Sequence, residues 1–383
     1  MKHELIFGGV NLSDYGVWIS GEGTFNAPSR SFEMVSVPGR NGNLIIDNGK
    51  WENIVVTYPA YIESGFRCKF SDFRMMMCNM TGYQTLEDTY HPNEYRQAVF
   101  VNGFTVETGQ FNKSGRFEIS FNCKPQRFLK SGTIPALELT SSTTPQHILA
   151  EGKGKDIFYS SFKTSNTWAN TDTEYTIIDL TSVSATVTFK LWYSKEILGT
   201  LFIVGSCWDN PTTTDGNAIT SIQHYWDEPY YTFDVDASVL TDYAFFPTPI
   251  RWEVWNGTTL FDANFPTSEK IFNPTGYEAK PIIHLSLSSA VTDKVVALVN
   301  DSQIKITSPT YNILPNTGGK QMTDVYIDCE TMNAYMPIGN AYYNLNPYVT
   351  IPREIISLTA GDNDVYVNGY IDSIEIIPRW WKL

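Results

Sequence analysis

Aromatic side chains in the middle third of the chain are the residues with the clearest capacity for ligand chemistry. Two alternating runs, residues 185–193 and 249–255, each place a tryptophan on the side that carries polar residues. An exposed tryptophan offers a rigid apolar plane, and the apolar face of a sugar ring can stack on it. The residues that we predict for a carbohydrate-binding surface are Trp192, Trp255, Trp226 and Tyr230. The alternative is that these rings cover a neighbouring domain or a sheet edge.

Spacings that support catalysis or metal binding do not occur in the sequence. The five histidines have no metal-ligand spacing, the five cysteines include no CxxC pair, and no GxSxG, HExxH or P-loop motif is found. A glycosidase needs two carboxylates facing each other across a bond, and the acidic residues at 227–228 and 234–236 more simply form a solvated surface. The oxygen-rich run 209–217 lacks the final Glu of an EF-hand loop. We therefore predict no catalytic residue, no metal and no cofactor.

Composition favours a mainly β protein with more than one domain. The 383 residues exceed one ordinary core, and only 18% are charged while 14% are aromatic, which favours sheets and turns over helices. The net charge of −14 leaves no basic patch for a nucleic-acid backbone. No run is long enough to span a membrane, and the N-terminus is unlike a signal peptide. We expect a soluble protein made in a cytoplasm, with no membrane or sequence-specific nucleic-acid partner.

Charge and aromatic content change along the chain and set a middle block apart. Residues 1–133 carry 13 basic and 13 acidic side chains, whereas residues 134–266 carry 6 basic and 16 acidic ones, a net charge of −10. The middle block also holds six of the ten tryptophans. These shifts predict a separate domain in the middle of the chain. A net charge of −10 is tolerated better on an exposed lobe than within a crowded assembly.

Local patterns predict many strands and one helix. Apolar residues recur at i, i+4, i+7 and i+11 within residues 64–80, which predicts an amphipathic helix packed on a sheet. Residues 95–107 contain an Asn-Gly pair between two β-prone runs and predict a hairpin. Residues 115–123 predict a strand that ends at Pro125, since proline cannot donate to the ladder. Residues 134–150 are rich in Pro, Ser and Thr and predict a connector.

Four short motifs follow one another in a distinctive order. They are PGRNG at residues 38–42, YRQAVF at 95–100, CKPQRFL at 123–129 and PRWW at 378–381, close to the last residue. Their order resembles the distal tail protein family of long, flexible-tailed phages that infect Gram-positive hosts. The motif residues singled out by the resemblance are Pro38, Gly39, Arg40, Pro125, Gln126, Arg127, Pro378, Arg379, Trp380 and Trp381.

The resemblance implies a structural protein and not an enzyme. It covers roughly residues 1–133 and 268–383, and it implies a mainly β fold: an N-terminal β-rich ring-forming domain with one helix, and a C-terminal galectin-like β-sandwich. Family members pass quickly from the CKPQRFL motif to the second domain. Here residues 134–267 intervene. We predict that this segment is an inserted β-sandwich and a possible carbohydrate-binding module.

The resemblance also implies a place in the virion and a set of partners. It implies a hexameric ring at the tail tip, or baseplate, in contact with the tail tube protein above and the tail-associated baseplate hub protein below. The tape measure protein would pass through the lumen, and the insert would meet a host cell-wall glycan. A carbohydrate-binding adhesin is the alternative function, and a hydrolase of wall polysaccharide is a further one.

Overall fold

The computed structural model describes residues 2–21, 24–101, 103–141, 147–153, 174–184, 186–192, 202–205, 217–219, 223–224, 231–235, 243–265, 267–300, 302–351 and 355–383. Within these residues the chain is mainly β with one α-helix, which confirms the predicted fold class. The buried apolar side chains fall into three clusters, one from the first third of the chain, one from the middle and one largely from the last third.

Ten strands make up the first third of the chain. They are β1 (Leu5–Phe7), β2 (Val10–Asn11), β3 (Val17–Ile19), β4 (Arg30–Ser36), β5 (Asn43–Trp51), β6 (Ile54–Ile62), β7 (Gln84–Asp88), β8 (Glu94–Phe100), β9 (Val106–Gly109) and β10 (Ser114–Leu129). Eight of them form one antiparallel sheet in the order β2-β1-β7-β8-β10-β6-β3, with β9 also on β10. The strands β4 and β5 form a hairpin of their own, which we call the arm.

Helix α1 (Phe66–Asn79) covers one face of this N-terminal sheet. Phe66, Phe73 and Met77 are buried against strand residues, so the predicted helical face is confirmed. The helix begins after Gly65, which takes the N-cap position with a left-handed φ of 69°.

Two local predictions in this region are wrong. Strands β8 and β9 do not form a hairpin with each other, because both pair with the long strand β10, one after the other along the same edge. Pro125 does not end β10, which continues to Leu129. The register against β8 shifts between Cys123 and Arg127, and such an irregularity lets a strand accommodate a proline.

The strands of the middle of the chain come next. They are β11 (Leu137–Thr140), β12 (Ile148–Lys153), β13 (Glu174–Asp179), β14 (Val187–Trp192), β15 (Phe202–Gly205), β16 (Asn217–Ile219), β17 (Gln223–His224), β18 (Tyr231–Val235), β19 (Tyr243–Pro247), β20 (Arg251–Asn256) and β21 (Thr259–Ala263). From β12 onwards they form two sheets, β12-β13-β19-β15-β16 and β17-β18-β14-β20-β21. Side chains of both sheets meet in one buried cluster, as Phe246 and Trp252 do with ring centroids 6.3 Å apart, so this lobe is a two-layered sandwich.

The last third of the chain forms a second sandwich. Its strands include β22 (Thr267–Asn273), β23 (Ile282–Ser286), β24 (Lys294–Val299), β25 (Ser302–Ile306), β26 (Asp324–Asp328), β27 (Asn333–Ile338), β28 (Ala341–Asn344), β29 (Val349–Thr350), β30 (Gly361–Val367) and β31 (Ser373–Ile377). The strand that follows them, β32 (Trp381–Lys382), pairs with β10 of the N-terminal sheet. The two sheets run β11-β31-β23-β26-β27-β28 and β22-β30-β24-β25-β29. Short 3-10 turns occur at Leu12–Tyr15, Gln110–Asn112, Lys130–Thr133, Thr310–Asn312 and Asn346–Tyr348.

Strand β11 corrects the predicted connector. Leu137–Thr140 lies within residues 134–150, yet it is the edge strand of the C-terminal sandwich, paired with Ser373–Ile377. Leu137 is buried in that core, and the burial of this side chain favours a strand over a loop here. The chain therefore enters the C-terminal sandwich, leaves it for the middle lobe and returns at Thr267–Asn273.

The packing of α1 gives a testable measure of the N-terminal core. We expect Phe73→Ala to lower the free energy of unfolding by about 3–5 kcal/mol, because Phe73 is fully buried among sheet and helix side chains. Met75→Ala, at a 62% exposed site on the same helix, is the control and should change it by less than about 0.5 kcal/mol. Denaturant unfolding followed by circular dichroism measures both. Equal effects of the two substitutions would show that α1 does not pack as described.

Candidate assembly site where the chain end meets the N-terminal sheet

The end of the chain joins two domains that are far apart in sequence. Strand β32 pairs with β10, Lys382 opposite Arg127 and Trp381 opposite Phe128. The backbone N–H of Leu129 donates to the carbonyl of Trp380 at 2.8 Å. The CKPQRFL and PRWW motifs are therefore in direct contact, and we call residues 127–132 and 379–382 the junction.

Arg379 connects the junction to the C-terminal sandwich. Its guanidinium donates to both carboxylate oxygens of Asp328, at 2.8 and 2.9 Å, and lies 3.6 Å from Glu330. Burial acts to raise the pKa of Asp328, but the hydrogen bonds and charge of Arg379, with two backbone N–H groups, outweigh it and hold the pKa below its ordinary value. A bidentate pair of this kind fixes both direction and distance.

The backbone at the junction allows little variation. Arg379 has a φ of 57°, a conformation that costs a non-glycine residue about 1–2 kcal/mol. Its N–H donates to the carbonyl of Gly132 at 2.9 Å. A Cβ on Gly132 would lie 2.4 Å from the backbone nitrogen of Trp380, so only glycine permits this close approach.

The two terminal tryptophans hold the peptide in place in different ways. Trp380 is buried in the core of the C-terminal sandwich. Trp381 stacks on Tyr277, with ring centroids 4.5 Å apart, and its indole N–H donates to the carbonyl of Glu278 at 2.9 Å.

Ion pairs add a further connection across the junction. Glu94 accepts Lys382 on one oxygen at 2.5 Å and Arg127 on the other at 3.4 Å. Burial acts to raise the pKa of Glu94, but these two cations outweigh it and keep the pKa below its ordinary value. Lys124 lies 3.9 Å from Glu330 of the C-terminal sandwich. Oppositely charged side chains therefore face each other across the contact between the two domains.

The remaining motif residues lie near the junction or away from it. Pro125 and Gln126 are half-buried in β10, and Pro378 follows the last strand of the sandwich, β31. The PGRNG motif is the tip of the arm, where the N–H of Arg40 donates to the carbonyl of Val37 at 3.2 Å. Pro38, Gly39 and Arg40 are exposed there, and the arm pairs only with itself within the described residues.

Trp192 lies on the side of β14 that the sequence predicted, but its ring is covered. Val187, Phe189 and Leu191 of that strand are buried and Trp192 is half-buried. The guanidinium carbon of Arg251 lies 3.7 Å from the centroid of the Trp192 ring and 4.3 Å from the ring of Tyr366 in the C-terminal sandwich. Trp192 therefore takes part in the contact between the middle lobe and that sandwich.

Trp255 is also half-buried. Its indole N–H donates to Glu253 at 2.9 Å, and the amine of Lys190 lies 5.3 Å from its ring centroid. The structure does not bring Trp192 and Trp255 together into a described cleft. Trp226 and Tyr230 lie outside the described residues, as do most residues of the oxygen-rich run 209–217.

Several residues of the site carry no signal in the sequence. Asp328 lies 51 positions from Arg379, and only the folded sheet makes them neighbours. Glu94 immediately precedes the YRQAVF motif but is marked by nothing else. Among the described residues no group of histidine, cysteine and carboxylate side chains could hold a metal ion, and no helix could cross a membrane.

Solved phage structures are among those to which this chain is similar. The chain matches no family model and no curated protein. It is similar to SPP1 Dit (gp 19.1), described as a paradigm of the hub adsorption apparatus in Gram-positive infecting phages, at 9% identity over 100% of this chain and 99% of that chain, with a TM-score of 0.41. It is also similar to a chain of the phage P2 baseplate in its activated conformation with Ca, at 10% identity over 98% and 97% of the two chains, with a TM-score of 0.39. TM-scores below 0.5 do not establish a common fold, so we draw the function from the motifs and contacts of the chain itself.

The depressed pKa of Asp328 predicts how the junction responds to acid. Because the folded pKa lies below the ordinary value, the stabilisation by Asp328 is complete above about pH 4 and is lost as the pH falls through the folded pKa. We expect Asp328→Asn to lower the free energy of unfolding at neutral pH by about 2 kcal/mol and to show a smaller deficit below pH 4. Unfolding series in urea across this pH range measure the difference, with Glu107→Gln at an exposed site as the control. If the loss of unfolding free energy caused by Asp328→Asn stays the same in acid, the charge of Asp328 does not stabilise the junction.

Proposed function

We propose that this chain is a non-enzymatic structural hub protein at the distal end of a phage tail. In this role it forms a homo-oligomeric ring, a hexamer by resemblance, which joins the tail tube to the tail-tip apparatus. The order of the four motifs supports this proposal, and so does their placement, since two of them meet at the junction and a third forms the tip of an arm. The tape measure protein would then pass through the lumen of the ring.

The arm is the observation that carries the proposal. Seven large apolar side chains of the arm are exposed: Phe32, Met34, Val35, Val37, Leu44, Ile45 and Ile46. Met34 is 58% and Ile45 62% exposed, and the flanking strand residues are exposed as well. A lone two-stranded hairpin is marginally stable in water, and an uncovered apolar strand pair invites association. The arm therefore fits a partner surface better than it fits solvent.

A second copy of the chain offers a surface that could receive the arm. The outer face of β6 and β10 borders an open groove of about 1250 Å³, lined by Pro59, Tyr61, Arg116 and Glu118 among others. The groove mixes apolar rings with charges of both signs, and the arm likewise carries Arg30 and Asp47, paired at 2.6 Å, among its apolar residues. Docking of an arm into the next subunit's groove is a head-to-tail contact, and contacts of this type form a closed ring when the rotation between neighbouring subunits divides a full turn.

The junction supports a hub role in a different way. It fixes the C-terminal sandwich to the N-terminal sheet through backbone pairing, buried tryptophan and ion pairs. A ring built through the N-terminal sheets would then present its C-terminal sandwiches and middle lobes in a constant orientation. That is what a platform for a host-recognition apparatus requires.

The arm predicts the assembly state. We expect the wild-type protein to form a closed oligomer at micromolar concentration, and the double substitution of Met34→Asp and Ile45→Asp to shift it to monomer, because buried carboxylates oppose docking. Tyr342→Asp, at a 76% exposed position of the C-terminal sandwich, is the control and should leave the oligomer intact. Native mass spectrometry of the three proteins measures the subunit number. An oligomer that survives in the arm variant would remove the arm from the interface.

A carbohydrate-binding role for the middle lobe is a second candidate, favoured by the half-exposed ring of Trp255 beside polar groups. We expect Trp255→Ala in the full-length protein to weaken binding to isolated host cell wall by about 1–3 kcal/mol, the scale of one lost stacking platform. Trp192→Ala is the comparison and should affect binding less, because Arg251 covers that ring. Pull-down on cell walls, with circular dichroism to confirm folding, measures both. Unchanged binding in both variants would exclude stacking on these rings.

A further inference from the structure

Basic residues from three separate stretches of the chain line up in one row across the N-terminal sheet. Arg96 of β8 is directly opposite Arg127 of β10, and Arg127 is opposite Lys382 of β32 on its other side. Directly paired residues on neighbouring strands project to the same face. The adjacent pair, Tyr95 and Phe128, stacks with centroids 5.3 Å apart, on the opposite face by strand alternation. Three positive charges are therefore side by side.

Glu94 and Asp88 are described carboxylates near this row, and both are already engaged. Glu94 accepts Arg127 on one oxygen and Lys382 on the other. Asp88 accepts the hydroxyl of Tyr58 at 2.8 Å on one oxygen, and backbone N–H groups occupy its other oxygen. Within the described residues, only Glu94 pairs directly with the row, and it meets two of the three cations.

Among the described residues, Arg96 is the cation of the row whose terminal nitrogens have no hydrogen-bond partner, and Asp88 acts on it only through its charge. Arg96 is only 6% exposed. Both of its terminal nitrogens, Nη1 and Nη2, are buried and have no hydrogen-bond partner among the described residues. Burial lowers the pKa of Arg96, and the positive charge of Arg127 lowers it further. A guanidinium in such a place remains charged and needs acceptors.

Arg127 lies beside Arg96, and its guanidinium is fixed in place. The residue is 8% exposed, and its Nη2 donates to the backbone carbonyl of Thr24, a residue that is 1% exposed. This contact and the pair with Glu94 fix the plane of the guanidinium. Two neighbouring guanidinium groups, one fixed and one with free donors, are the arrangement that recognises an anion with several acceptor oxygens.

We propose that Arg96 and Arg127 bind a small oxyanion, of the phosphate or sulfate class, inside the N-terminal domain. The anion accepts hydrogen bonds from Nη1 and Nη2 of Arg96, and its negative charge balances the excess of positive charge in the row. Because the row joins β8, β10 and β32, the bound anion stabilises the same strands that form the junction. The site does not depend on the ring: it needs only the folded chain.

The test uses inorganic phosphate as the probe and the full-length protein as the sample. We expect phosphate, compared with chloride at equal ionic strength and pH, to raise the melting temperature in a saturable way. Arg96→Met should abolish this rise, and Arg96→Lys, which keeps the charge but loses the fork, should weaken the apparent affinity by about tenfold or more. Arg74→Met, at an exposed position of α1, is the matched control and should respond like the wild type.

Two outcomes would overturn the proposal. An equal rise in the wild type and in the Arg96 variants would mean an adventitious ion only, bound elsewhere on the surface. A melting temperature that is unaffected by phosphate and by sulfate in the wild type would mean that the row binds no oxyanion. Should Arg96→Met fail to fold, the lysine variant decides between these results.

Discussion

The pairing of the last residues of the chain with β10 is the contact on which the rest of the structure depends. Strand β10 is already paired with β8 on one edge over Arg127–Leu129, and β32 completes the other edge. Without β32 the basic and aromatic end of β10 would present an open edge, and open edges invite wrong pairing. The N-terminal sheet is therefore incomplete until the C-terminus is in place.

This constraint explains why the junction is so specific in its residues. Contacts between distant segments must offset the entropy of closing a long loop, and a two-residue strand supplies few hydrogen bonds. The junction adds the buried ring of Trp380, the bidentate pair of Arg379 with Asp328, and the shared carboxylate of Glu94. Gly132 lets the two backbones approach, and the left-handed conformation of Arg379 turns the peptide towards its partner. Each element serves the same contact.

Local features of the fold could be predicted from the sequence, whereas long-range ones could not. The periodicity that identified α1 and the alternation along β14 depend only on neighbouring residues, and both are realised. The hairpin expected at 95–107 and the strand end expected at Pro125 are wrong because β10 offers one long edge that both β8 and β9 use. Leu137–Thr140 is in the C-terminal sandwich for a similar reason, since its partner strand lies more than 200 residues away. For the site, the motifs identified Arg127 and Arg379 but not their partners Glu94 and Asp328.

We propose that the chain assembles through its arm while the junction keeps each subunit rigid. Negative-stain electron microscopy can show whether rings form, with the purified full-length protein alone and together with the tail tube protein that we propose as its partner. Closed rings with the sandwiches and middle lobes at constant positions around the rim are the predicted result. Fields of single particles under both conditions, with no ring at any concentration, would show that the arm does not drive assembly.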